Sequence, residues 1–100
     1  MTEMMFFLQV SLGSQHKGIG AARHFVGGQQ APRPSRLAIG AYGKNAGFYL
    51  LYYDEDDMEI TDTYHNSVDE AQAQAEFEFG IVRAEWVVLN STWPDGERVL

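Results

Sequence analysis

The residues best suited to chemistry in this chain are carboxylates. Asp54-Glu55-Asp56-Asp57 stand in a row, with Glu59 just beyond. Oxygen clusters suit calcium, and Asp54 and Asp56 fit the first two ligand positions of a calcium loop. The rest of that loop does not follow. Met58 takes the third position, Glu59 stands where the glycine belongs, and His65 replaces the final glutamate. Three histidines, His16, His24 and His65, show no H-x-H or H-x-x-x-H spacing, so nothing points to zinc. Asp62, His65 and Ser67 are the residue types of a hydrolytic triad. They are near neighbours with strand and cap roles, and no strained nucleophile turn surrounds Ser67. Gly18-Ile19-Gly20 is half of a dinucleotide fingerprint, but Arg23 occupies the third glycine position. Lys17, Arg23 and His24 beside it suit an anion as well as they suit solvent. With 14 acids in the chain, some carboxylates must lie close together, which leaves glycoside chemistry open without pointing to it. No catalytic residue, metal or cofactor is assigned.

The elements that hold these residues are legible. Phe48 to Tyr53 is a continuous apolar run of strand length, which suits a central strand covered on both faces. The four acids at 54–57 supply a turn, and Asp57 is the residue expected at positive φ. Beyond them the chain alternates. Met58, Ile60, Asp62 and Tyr64 fall on one side, and Glu59, Thr61, Thr63 and His65 on the other, which predicts a half-buried strand. Ser67 and Glu70 have capping-box spacing. They open a helix over 67–79 whose stripe is Val68, Ala71, Ala75 and Phe79, closed by Gly80. Phe77 lies opposite the stripe, as a contact for the segment after the helix or as an exposed anchor for a partner. Trp86 is expected to plug the core. Pro94-Asp95-Gly96 is a turn tripeptide, and the last four residues are expected to fray.

The N-terminal half is less regular. Residues 4–12 and 36–42 read as strands. Between them, residues 13–36 hold five glycines and two prolines. A loop this long is unusual inside a domain. It is flexible, or functional, or it hides a short strand at 22–26.

One hundred residues suit a single domain, and 45% hydrophobic residues with 13% aromatics suffice for a core. The absence of cysteine removes disulfides and thiolate chemistry and fits a reducing cytoplasm. No apolar run is long enough for a membrane span, and the 4–10 stretch lacks the basic flank of a signal peptide. Charge is split. Residues 1–53 carry five basic residues against Glu3 alone, and residues 54–100 carry 13 acids against Arg83 and Arg98. Such a surface repels nucleic-acid phosphates and steers basic proteins toward it.

The stretch F-Y-L-L-Y-Y-D-E-D-D-x-E-I-T-D-T-Y-H, the helix end Q-A-E-F-E-F-G and the following E-W span residues 48–89. This stretch resembles a family of small bacterial acidic α+β proteins with no established activity, and some acidic proteins of this size and style resemble immunity proteins, which neutralise toxin domains. Asp57 stands where such a hairpin usually has glycine, and the resemblance transfers no catalytic residue. The expected fold is α+β, an antiparallel sheet of four or five strands (4–12, 36–42, 47–53, 58–64, 86–89) packed on one main helix. The expected function is a non-catalytic, cytoplasmic, immunity-like or antitoxin-like module. It binds a basic protein partner, such as a toxin domain, through Asp54, Glu55, Asp56, Asp57, Glu59 and Phe77. Two alternatives stay open: a ligand-binding or enzymatic domain using the 13–36 loop, and a homo-oligomer formed through a free strand edge.

Overall fold

A computed structural model describes residues 3–13, 16, 25–26, 29–30 and 34–100 of the chain. Five strands form one antiparallel sheet: β1 (Met5–Ser11), β4 (Arg36–Ala41), β5 (Phe48–Tyr53), β6 (Glu59–His65) and β7 (Val87–Val88). The spatial order is β6-β5-β4-β1-β7. Two further strands, β2 (Phe25–Val26) and β3 (Gln29–Gln30), pair with each other in a separate small hairpin. The helix α1 (Val68–Phe79) lies across β5 and β6. It carries the chain from the β6 edge back to the β1 edge, where β7 adds. The fold is α+β, with the sheet packed against the helix.

Local chemistry explains the boundaries. The β5–β6 hairpin turns where Asp57 adopts φ 61, a conformation Asp tolerates better than most residues. Ser67 caps α1, its hydroxyl accepting from the Glu70 N–H at 3.1 Å. Glu70 does not complete the expected box, because its carboxylate accepts from the Asn66 N–H at 2.8 Å, one residue earlier. Gly80 closes the helix at φ 72, its N–H donating to the Glu76 carbonyl. A 3-10 turn over Arg83–Glu85 then leads to a buried Trp86.

The core lies between sheet and helix. Phe7, Leu37, Ile39 and Leu50 are fully buried against Ala71, Ala75 and Phe79. The two alanines allow the helix to approach closely. A register shift between Phe6 and Leu8 interrupts the ladder, and Phe7 and Leu8, adjacent in sequence, are both buried. Phe7 meets Trp93 edge-on at 5.0 Å and Phe48 at 6.1 Å. That anchor places the chain end, which the sequence leaves as a tail expected to fray, against the core. Trp93 holds the Pro94-Asp95-Gly96 turn in place, Val99 and Leu100 both donate to the Ser91 carbonyl, and both pack on the core.

Of the 22–26 stretch, where a short strand is one of the alternatives the sequence leaves, Phe25–Val26 forms β2, and residues 22–24 lie outside the described residues. The flexibility expected of 13–36 and the half-fingerprint Gly18-Ile19-Gly20 lie outside the described residues, as does His24.

Candidate functional site

The hairpin tip divides the expected contact residues into two kinds. Asp54 Oδ1 accepts from the Asp56 N–H at 2.9 Å and the Met58 N–H at 3.0 Å, so this carboxylate builds the turn. Asp57 accepts from Arg36 Nε at 3.2 Å. Glu55 and Asp56 are exposed and make no ion pair among the described residues. The register shift between Tyr52 and Tyr53 sets Glu59 opposite Tyr53. Partial burial, then the charge of Asp62, raises the Glu59 pKa.

Beside the tip lies the sheet face turned away from the helix. Antiparallel register puts Gly40, Tyr49 and Tyr64 in line across β4, β5 and β6, and sets Asp62 opposite Leu51. Alternation adds Tyr42, Tyr53 and Arg36 to the same face. Tyr42 and Tyr49 meet edge-to-face at 5.6 Å, and Tyr49 and Tyr64 at 5.4 Å. Tyr42 is 48% exposed and Tyr64 55%. The row depends on Gly47, whose φ is 75 and whose backbone the Tyr64 ring covers. Arg36 lays its guanidinium 4.1 Å from the centre of the Tyr53 ring. Burial raises the Tyr53 pKa, and the Arg36 charge opposes that shift.

The helix-facing side of β5 and β6 is different. Glu78 is only 1% exposed. It accepts from the Tyr52 hydroxyl and from Gln74 Nε2 at 2.9 Å. Burial, then the bond to Glu78, pushes the Tyr52 pKa far up, while Thr63 opposes the rise. Thr63 Oγ1 and His65 Nε2 lie 2.7 Å apart, and burial lowers the His65 pKa. Sequence reasoning missed Glu78. The signal was its position seven residues after Ala71, which returns a helical residue to within about 20° of the same face.

Other polar groups are tied into the framework. His16 Nδ1 accepts from the Gly13 N–H at 3.0 Å, so the ring proton sits on Nε2, 2.6 Å from Glu85 Oε1. An imidazole held at both nitrogens is a brace between the end of β1 and the 3-10 turn. The bond from Val82, then that from His16, lowers the Glu85 pKa. The triad suggested by Asp62, His65 and Ser67 does not assemble. Alternation puts Asp62 and His65 on opposite faces of β6, and Ser67 is spent on its cap. Among the described residues no group of three or more ligating side chains could hold a metal. A groove of about 420 Å³ runs between the start of α1 and the β1–β7 edge, walled by Leu8, Val68, Trp86 and Val88, with Asp69 and Arg83 paired at its side. The Trp86 indole N–H is buried without a hydrogen-bond partner among the described residues.

Phe77 stays exposed at 55% on the helix layer, across the sheet from the tyrosines. The structure thus brings Asp54 through Asp57 and Glu59 together and leaves Phe77 apart from them.

Fold and site together define a small α+β domain with one sheet face under a helix and an opposite face where Ala38 and Leu51 are buried while Tyr42, Tyr64 and Asp62 are exposed. No family model, curated protein or solved structure matches this chain.

Proposed function

We propose that the chain is a non-catalytic, cytoplasmic protein-binding module, immunity-like in character, whose acidic surface masks a basic protein partner. One observation carries the reading. Glu55, Asp56, Glu59 and Asp62 lie on one hairpin and make no ion pair among the described residues, whereas Asp69, Asp95 and Glu97 farther along are matched by Arg83 and Lys44. Unmatched carboxylates repel one another, so a cationic partner relieves a cost the free protein carries. Glu55, Asp56 and Glu59 make the contacts, Asp54 and Asp57 shape the turn that presents them, and Phe77 is a separate anchor on the helix. Two features fit a soluble partner: a net charge of −7 opposes phosphate backbones, and no helix among the described residues is long and apolar enough to cross a membrane.

The test is to capture the partner from source cells and follow association against salt. Steered association should be fast at low ionic strength and slow as salt screens the charges. Glu55→Gln with Asp56→Asn should lower the on-rate and leave the fold intact, since neither side chain shapes the turn. Equal binding by that variant at every salt concentration would overturn the reading.

A further inference from the structure

We infer that the exposed tyrosine row on the face turned away from the helix is itself a binding site, one that takes arginine side chains of a basic protein partner on Tyr42, Tyr49 and Tyr64, with Asp62 as the counter-charge. The inference rests on the proposed function and adds to it a surface and a residue preference.

The protein already holds one guanidinium in this way. Arg36 stacks 4.1 Å from the Tyr53 ring centre while its Nε donates to Asp57 at 3.2 Å. A ring face supplies the quadrupole and a carboxylate supplies the charge. The same two parts recur a step along the sheet. Tyr49 and Tyr64 are directly paired, and Asp62 stands two residues from Tyr64 on the same side. Among the described residues, no cation of this chain stacks on Tyr42, Tyr49 or Tyr64. Tyr42 and Tyr64 are about half exposed, which is unusual for residues aligned in a core-forming sheet, and tyrosine is favoured where one surface receives another.

Charge selects the occupant. Burial first, then the charge of Asp62, raises the Glu59 pKa, and an arriving cation relieves the second of these. A nucleic acid could also stack bases on tyrosine, but its phosphates would face those same carboxylates. Arginine is preferred to lysine because its planar guanidinium stacks and bonds at once, whereas an ammonium does only the second well.

The full chain should be titrated at low salt with a capped Gly/Ser peptide bearing arginines, with its lysine counterpart of equal charge, and with a single-stranded oligonucleotide. Amide shifts should map to β4, β5 and β6 around the tyrosines. The arginine peptide should bind more tightly than the lysine peptide, and the oligonucleotide should not bind. Tyr64→Thr suits an exposed strand position, and with Tyr42→Ser it should weaken the arginine peptide at least about two- to fivefold. Asp62→Asn should weaken it with the fold unchanged by circular dichroism. Equal affinity for the two peptides, binding that survives the tyrosine changes, no peptide binding, or tight oligonucleotide binding would each overturn the site. If arginine binding survives the tyrosine changes but disappears with Glu55→Gln and Asp56→Asn, the tyrosine site fails and the acidic-surface reading stands. If the captured partner binds without salt dependence, the acidic-surface reading fails as well.

Discussion

The two faces of this sheet use similar residues to opposite ends. Under the helix, Tyr52 is buried and its hydroxyl is held by Glu78. On the face turned away from the helix, Tyr42, Tyr49 and Tyr64 pack ring edge to ring face, and Tyr42 and Tyr64 remain about half exposed. The same inversion runs along β6. Thr61, Thr63 and His65 turn toward the helix, while Asp62 and Tyr64 turn to solvent. A strand usually sends its apolar side inward. Here the buried carboxyl of Glu78 needs donors around it, and the polar side of β6 lines that environment. With its polar side turned to Glu78, β6 places Tyr64 and Asp62 on the opposite face.

The strongest way to break the buried side is Tyr52→Phe. Removing a donor from a buried carboxyl should cost about 2 kcal/mol or somewhat more. Chemical denaturation measures it, and a double-mutant cycle with Glu78→Gln should return a coupling of at least about 1 kcal/mol. A coupling near zero would mean the two residues are neighbours without energetic linkage.

Gly47→Ala attacks the tyrosine row on the opposite face. Its positive φ alone should cost about 1–2 kcal/mol, and the added methyl group must displace the Tyr64 ring. Stability and arginine-peptide affinity should fall together. Loss of stability with unchanged affinity would show that the row does not need Tyr64 where it lies.

The element that divides the faces is tested by Ser67→Ala, which should cost about 1 kcal/mol through the lost cap. A smaller effect comes from pH. Burial holds the His65 pKa below its ordinary 6.5, so as pH falls the unfolded chain takes up this proton before the folded chain does. Stability should decline as pH drops through about 6.5 and level off below the folded value. Glu85 and Asp95, whose pKa values are lowered by their hydrogen bonds, bring their own losses at still lower pH. His65→Gln should flatten the denaturation midpoint between about pH 7.5 and pH 5.5. The smallest effect is Phe77→Ala, which should change stability by no more than about 0.5 kcal/mol at so exposed a position. If Phe77 anchors a partner, the same change should speed dissociation.

Local pattern alone determined much of this protein. The runs at Phe48–Tyr53 and around residues 58–64, the acidic turn with Asp57 at positive φ, and the helix from its Ser67 cap to Gly80 all follow from near-neighbour sterics and hydrogen bonding, which a sequence window contains. An antiparallel sheet of four or five strands on one helix followed from the same signals, and five strands form it. What the sequence left open was which side of β6 faces the helix, because alternation gives two sides and no inside. That was decided by Glu78, a residue thirteen positions beyond His65 whose burial depends on α1 crossing β5 and β6. The pairing of Glu59 with Tyr53 depended on a register shift that no local residue announced. The tyrosine row depended on three strands aligning Tyr42, Tyr49 and Tyr64 across the sheet. The Glu78 burial and the Tyr49–Tyr64 pairing join segments more than a dozen residues apart and are fixed only when those segments share one core, whereas the Tyr53–Glu59 pairing is set within a single hairpin.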